Sequence, residues 1–326
     1  MNILLTTTCN RKCAYCFAAQ KLSSDLRMNY KFMPLDNVKK VINFLQKSEV
    51  KDIGIIGGEP TLHPKFISVI KLILHAGMKI RLFTNGLIPF KHIEFLSSVN
   101  TVDCDILINI HAFKSYSRSE KLNLICALSS LKNKVSLGFN IYEKNFSTSF
   151  MLPIIEKYNL KKIIRISQAH KLLGFSNCYL PLSARRFVAK RIVDFAKECD
   201  RKDIALNFDC GFSLCNFTAT ELGMLRLYGA DTNMCCNPVV DVNPDLTVFR
   251  CFATSKIWNK KLDDFNNLNQ INNYYQKKSA RFVRLGNNGK CLHCKYLKRL
   301  QCAGGCLSFT LSSLGLKNKN GTDRVF

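Results

Sequence analysis

Along the first two thirds of the chain, short apolar or alternating runs give way to stretches with apolar residues three and four apart, and this switch repeats. The first pattern is that of a strand, the second that of one buried helix face. Strands are predicted over residues 1–7, 52–56, 79–84, 101–110, 134–141 and 161–167, the fourth alternating through Ile106, Ile108 and Ile110. Helices are predicted over 35–48, 64–76, 90–99, 116–132, 147–158 and 183–199; Val38, Val41, Ile42 and Leu45 mark the buried face of the first, and Pro153 interrupts the fifth early. Asn85-Gly86 is a turn signal at the end of the third strand. Regular strand–helix alternation implies an α/β fold with a parallel sheet and helices outside. Six such units correspond to a partial (β/α)6 TIM-like barrel, whose ligands sit at the C-terminal ends of the strands. Spacing alone leaves a doubly wound sheet open.

Beyond residue 200 helical periodicity weakens, and Cys, Gly and Asn become frequent. We therefore expect a core barrel over 1–199, a second, small Cys-rich domain organised by metal over 200–315, and a flexible basic tail over 316–326. At 326 residues the chain can build both domains. No apolar run reaches the length of a membrane span, and the N-terminus lacks the basic start of a signal peptide. A cytoplasmic protein with no membrane partner is expected.

Sixteen cysteines without a secretion signal point to metal rather than disulfides. Four scattered ones, Cys104, Cys126, Cys178 and Cys199, read as core or surface thiols. The formal charge of +25 raises the question of nucleic acid. The basic residues are spread along the chain, however, and each four-thiolate [4Fe–4S] cube would itself carry about −2. A solvated basic surface is the first reading, an acidic peptide or reductant protein the second, RNA the third.

The densest chemistry lies at Cys9, Cys13 and Cys16, spaced C-x3-C-x2-C, with Tyr15 before the last thiol. Three thiolates this close can hold three irons of a [4Fe–4S] cube and leave the fourth iron open to a substrate or cofactor. Zinc with a fourth ligand, or buried thiols, are the alternatives for an isolated triplet. One strand–helix unit later the second strand ends in Gly57-Gly58-Glu59-Pro60, where glycines permit a close backbone approach and exposed carbonyls can accept from an ammonium group. Together these segments resemble the cluster loop and GGEP motif of the radical SAM superfamily. The resemblance implies that Cys9, Cys13 and Cys16 ligate the cluster, that its free iron chelates S-adenosylmethionine, and that the GGEP segment grips the amino group of that cofactor. Thr84, Asn85, Asn109, Asn140 and Ser167 end successive strands and are candidate cofactor contacts by position, with turn or capping roles as the alternative. His111 is a candidate base, or a satisfied structural histidine.

The second domain contains Cys210 and Cys215, then Cys236, a Pro244-Asp245-Leu246 turn and Cys251, then Cys291, Cys294, Cys302 and Cys306. Such spacings let tight turns present thiolates to one cluster; a zinc ribbon is the alternative. The region is similar to the SPASM domain, which carries one or two auxiliary [4Fe–4S] clusters. It departs from that pattern in three places. Leu246 replaces the turn glycine, seven residues rather than five separate Cys294 from Cys302, and no Cys follows Cys306. Cys210 and Cys215 could replace the missing ligand, and Cys235 could displace Cys236. By resemblance, Cys236, Cys251 and Cys306 plus one upstream Cys hold one cluster, and Cys291, Cys294 and Cys302 plus the other hold the second. A single auxiliary cluster is the alternative.

The resemblance implies an oxidoreductase that cleaves S-adenosylmethionine reductively and abstracts a substrate hydrogen, served by an external one-electron reductant of flavodoxin or ferredoxin type. The leading expectation is modification of a peptide or protein: thioether formation, carbon–carbon crosslinking or oxidation. Phe252, not Asp, follows Cys251, which argues against a sulfatase-maturing branch. Since the chain starts at its first predicted strand, a leader-binding protein is expected to be separate or unnecessary. A small-molecule radical dehydrogenase or cyclase is the first alternative, RNA modification the second, and a non-catalytic iron–sulfur electron carrier the last.

Overall fold

The computed structural model describes residues 1–19, 30–173, 175–232, 234, 236 and 238–315. The expected tail and Cys235 lie outside the described residues. Strand β1 (Asn2–Leu4) leads to α1 (Leu35–Lys47), β2 (Asp52–Ile56) and α2 (Phe66–His75). The alternation continues through β3 (Lys79–Thr84), α3 (Phe90–Ser98), β4 (Cys104–Asn109), α4 (Arg118–Leu131), β5 (Val135–Ile141), α5 (Met151–Tyr158), β6 (Ile163–Gln168) and α6 (Ala189–Asp200). Then come β7 (Ala205–Phe208), α7 (Ala219–Leu227), β8 (Asp241–Val242), β9 (Thr247–Phe249), β10 (Lys260–Lys261), α8 (Leu268–Leu285), α9 (Lys295–Lys298) and α10 (Leu307–Ser313).

All ten strands form one open sheet in the order β10-β9-β8-β1-β2-β3-β4-β5-β6-β7. From β8 to β7 neighbouring strands are parallel, and β9 and β10 append as an antiparallel pair. This is the expected partial barrel, unclosed. The sheet extends past residue 200 at both edges. Strand β7 pairs with β6, and β8 pairs with β1 through Asn2↔Asp241 and Ile3↔Val242. The Asn2 side chain also donates to Asp241 at 2.8 Å. The first strand is thus joined through the sheet to the stretch beyond residue 200.

One apolar core runs between sheet and helices, including Ile53, Ile55, Leu82, Ile106, Leu137 and Ile164 from the strands and Val38, Val69, Leu124 and Ile155 from the helices. Every residue of β5 is buried, as expected for a central parallel strand. Several helices start later than their apolar pattern. Residues 147–150 precede α5, and the stretch read as one helix over 183–199 opens with the 3₁₀ segment Leu182–Val188. Helix α4 is capped reciprocally, Ser117 Oγ accepting from Glu120 N–H while the Glu120 carboxylate accepts from Ser117 N–H. No described helix is long and apolar enough to cross a membrane.

At the Pro244-Asp245-Leu246 turn the backbone keeps the left-handed conformation a glycine would favour, with φ +64° at Leu246. The Asp245 carboxylate holds the turn by accepting from Thr247 N–H at 3.0 Å, Thr247 Oγ1 at 2.8 Å and Lys261 Nζ at 3.0 Å. The Leu246 side chain is buried in the core, which offsets the strain. The long gap between Cys294 and Cys302 is spanned by the single-turn helix α9.

Candidate active site and auxiliary cysteine groups

Cys9, Cys13 and Cys16 lie on the loop that leaves β1 at the C-terminal edge of the sheet. Their sulfurs face donors. Arg11 N–H donates to Cys9 Sγ at 3.4 Å and Asn85 Nδ2 to the same sulfur at 3.8 Å, and His111 Nε2 lies 3.9 Å from Cys13 Sγ. Burial pushes the Cys16 thiol up to about 11 and raises Cys9 as well. Iron coordination deprotonates such thiols outright, and N–H donors then stabilise the resulting negative charge. Donor set and surroundings therefore fit an iron–sulfur cluster.

The Gly57-Gly58 segment lies against this loop. Gly58 N–H donates to Thr6 O and Glu59 N–H to Thr8 O, both at 2.8 Å. A Cβ on Gly58 would stand 2.4 Å from Thr8 O and 2.9 Å from Cys9 Cβ. The glycines are thus required by the close approach of the cysteine loop itself, a demand the sequence does not reveal. Glu59 is fully buried. It accepts from Thr61 N–H at 3.2 Å, Thr61 Oγ1 at 2.7 Å, Thr84 Oγ1 at 2.8 Å and Asn85 N–H at 2.8 Å. Burial raises its pKa, against the pull of those donors. Asn85 Nδ2 donates in turn to Asn10 Oδ1 at 2.7 Å. A chain of bonds therefore runs from the end of β2 to the end of β3 and back to the cysteine loop. Pro60 and Thr84 are buried beside it.

Asn109, Asn140 and Ser167 form a row across the ends of β4, β5 and β6. Asn140 Nδ2 donates to Asn109 Oδ1 at 3.5 Å, and Ser167 Oγ donates to Asn140 Oδ1. Next to the row, His111 Nε2 is 3.0 Å from Tyr15 OH, and Tyr15 stacks on Tyr142 with ring centroids 4.9 Å apart. Burial, aided by the Arg11 charge, lowers His111 to about 4, so the imidazole is neutral at physiological pH.

The auxiliary cysteines gather in two groups. Cys215, Cys291, Cys294 and Cys302 line one pocket together with Asn287 and Gly304. Cys210 forms the other group with Cys236, Cys251 and Cys306, which are near enough to raise its pKa further, beyond the effect of burial and the Asp209 charge. Burial first, then Cys236 and Cys251, push Cys306 up to about 12. Arg250 Nη2 donates to Cys236 Sγ at 3.5 Å and Nη1 to Cys251 Sγ at 3.9 Å. Three buried donors near these groups lack acceptors: Asn287 Nδ2, Arg185 Nη2 and Gln168 Nε2. Unmet donors beside thiols suit clusters whose sulfurs accept hydrogen bonds. Among the described residues, no three His, Cys, Asp or Glu side chains converge as they would on a single metal ion.

Gln168, at the end of β6, is a contact that position alone suggests. Sequence reasoning missed His170, just beyond it, and Arg185, Arg250 and Asn287. Arg185 sits in a basic pair that reads as surface, yet it is buried. Of the scattered cysteines, Cys104 and Cys199 are buried and Cys178 is exposed, in line with core and surface thiols.

A model of the radical SAM superfamily matches residues 3–176. Among curated proteins, the chain is 24% identical over 200 residues to 7-carboxy-7-deazaguanine synthase of Clostridium acetobutylicum, covering 61% of this chain and 79% of that one. It is 34% identical over 87 residues to an S-adenosylmethionine-dependent nucleotide dehydratase of Selenomonas ruminantium, covering 26% of this chain and 29% of that one. Its fold resembles Streptococcus suis SuiB bound to S-adenosylmethionine, with a TM-score of 0.62, 16% identity and coverage of 94% of this chain and 72% of that one. It also resembles native anSMEcpe with bound AdoMet, with a TM-score of 0.63, 18% identity and coverage of 96% and 94%. With the family model spanning more than half of its length, the chain belongs to the radical SAM superfamily, whose members are enzymes that use a SAM-binding [4Fe–4S] cluster.

Proposed function

We propose that this enzyme modifies a peptide or protein side chain, using three clusters held by its own cysteines. Cys9, Cys13 and Cys16 ligate the SAM-binding cluster. When bound, that cluster and S-adenosylmethionine supply, by one-electron reductive cleavage, the 5′-deoxyadenosyl radical that takes a hydrogen atom from the substrate. Glu59 and Asn85 hold the cysteine loop against the end of β3. The Glu59 and Thr84 side chains are engaged internally, so the GGEP segment meets the cofactor with its backbone. Asn109, Asn140 and Ser167 offer a polar row at the mouth, and Tyr15 with Tyr142 walls it against water.

The observation that carries the reading is that Cys215, Cys291, Cys294 and Cys302 line one pocket, while Cys210, Cys236, Cys251 and Cys306 form a second group. Two auxiliary clusters, held within a SPASM-like domain over 200–315, would accept the second electron of a substrate oxidation. Cys215 would complete the ligand set of Cys291, Cys294 and Cys302. SuiB is also known bound to its precursor peptide SuiA, and this chain shares that fold with a TM-score of 0.60. An external one-electron reductant and, where the substrate carries a leader, a separate leader-binding protein complete the system in the cytoplasm.

A nucleotide-like small molecule is the second reading, favoured by the curated relatives, which include GTP 3′,8-cyclase of Synechocystis. Incubating the reduced, reconstituted enzyme and S-adenosylmethionine with a precursor peptide separates the two. A peptide mass change coupled to 5′-deoxyadenosine supports the first. Coupled turnover of GTP or another purine nucleotide, with peptides inert, overturns it.

A further inference from the structure

A buried guanidinium lies on a segment that packs against stretches carrying cysteines of both auxiliary groups. Arg185 is 2% exposed. Its Nη1 donates to Gly211 O at 2.5 Å and its Nε to Leu180 O at 3.4 Å. The guanidinium carbon sits 4.6 Å from the centre of the Phe309 ring. Gly211 directly follows Cys210, and Phe309 lies on the helix that begins after Cys306, so both anchors come from segments of one group; the 3₁₀ segment that carries Arg185 (Leu182–Val188) also packs on Leu214–Asn216, which carries Cys215 of the other. The approach at Gly211 is tight: a Cβ there would stand 2.3 Å from Gln168 O, and φ is +96°. Nη2 is buried without an acceptor. Among the described residues no carboxylate forms an ion pair with Arg185. The acidic groups within its electrostatic reach are the thiols of Cys306 and Cys215, one from each group.

A cation this deeply buried needs a counter-charge. Two carbonyls and a ring face do not supply one. Thiolates ligating iron do, because a four-thiolate [4Fe–4S] cube is an anion of about −2 that becomes about −3 on taking one electron. A fixed positive charge in a low-dielectric setting favours the more negative state, so it raises the reduction potential. Arg250 is arranged differently. Its contacts are Cys236 O at 3.1 Å, Cys236 Sγ and Cys251 Sγ, all within a single group.

We propose that Arg185 is a shared counter-charge that raises the reduction potentials of both auxiliary clusters, whereas Arg250 acts on the Cys210/Cys236/Cys251/Cys306 cluster alone. This rests on the reading that each group of four cysteines holds a [4Fe–4S] cluster. Arg185 is then a positioning and tuning residue that makes the auxiliary clusters better acceptors of the electron a substrate gives up.

The test uses the full chain carrying Cys9→Ala, Cys13→Ala and Cys16→Ala, so that only auxiliary signals remain. Iron and sulfide are measured first, and the clusters are then titrated with dithionite under EPR detection. Two resolvable clusters are expected in this parent. Arg185→Met should keep the iron and move both midpoint potentials to more negative values; Arg185→Lys, which keeps the charge, should stay near the parent. Arg250→Met should move one. Should Arg185→Met fail to hold iron, Arg185→Gln, neutral but able to donate, carries the same expectation. Unchanged potentials in the neutral variant, a shift in only one cluster, or equal shifts with Lys and Met would overturn the role of Arg185. A parent without auxiliary iron would instead overturn the cluster reading beneath it.

Discussion

Replacing Glu59 with Gln changes one atom in a buried network, and its consequence can be worked from the hydrogen bonds. Oε1 accepts from Thr61 N–H, Thr61 Oγ1 and Thr84 Oγ1, and Oε2 accepts from Asn85 N–H. A Gln can keep its oxygen on the first three, but its amide nitrogen then opposes the Asn85 N–H, donor against donor. Losing that bond and leaving a half-buried N–H unmet costs about 1–2 kcal/mol, and Glu59→Ala, which strips all four donors, costs about 4 kcal/mol. The displaced Asn85 also loosens its hold on Asn10 Oδ1 and Cys9 Sγ. Urea unfolding of the cluster-free protein should show the stability loss, and iron content after reconstitution should fall. The pH dependence has a definite sign. The folded-state pKa of Glu59 is raised above the ordinary 4.5. Its contribution to stability is therefore full below pH 4.5 and is lost as pH rises through the raised value. Gln lacks that component, so the gap between wild type and Glu59→Gln should narrow over the same window. An unchanged urea midpoint with normal iron content, or a gap that widens with pH, would refute the reasoning.

Three further outcomes follow from close contacts. Gly58→Ala places a methyl 2.4 Å from Thr8 O and must push the cysteine loop away; iron held by that loop should be lost, and fully retained iron would contradict the packing. Cys215→Ser should remove roughly four of about twelve irons from the loaded enzyme, and Cys210→Ser the other auxiliary four, each read by iron analysis and EPR; loss of all auxiliary iron from either variant alone would contradict separate groups. Leu246→Gly relieves about 1 kcal/mol of left-handed strain but forfeits about 2 kcal/mol of buried side chain, so urea unfolding should show a small net loss, and a gain would mean the strain dominates.

The alternation of β1 to α6 was legible because parallel strands buried on both faces leave apolar runs, and the outer helices leave clear 3.6-residue stripes. Strand β3 matches its predicted limits to the residue. The strands beyond residue 200 were not legible for the same physical reason. Strand β7 has four residues and β8 two, too few to show a period, and each is fixed by its neighbour in the sheet. At the site, Cys9, Cys13, Cys16 and the Gly57-Gly58 turn announce themselves through spacing. The contacts that distinguish Cys210 from Cys215, or that bury Arg185, depend on loops meeting in space. No sequence period records such meetings.

Cleavage of S-adenosylmethionine at the cysteine loop is the step on which the rest of the proposed chemistry depends. The direct measurement is 5′-deoxyadenosine formation by reduced, reconstituted enzyme, compared with a Cys9→Ala/Cys13→Ala/Cys16→Ala variant whose iron is quantified alongside. The wild type should form 5′-deoxyadenosine, and the variant should lose it while keeping the auxiliary iron, roughly two thirds of the total. A variant that still cleaves S-adenosylmethionine would contradict the central claim.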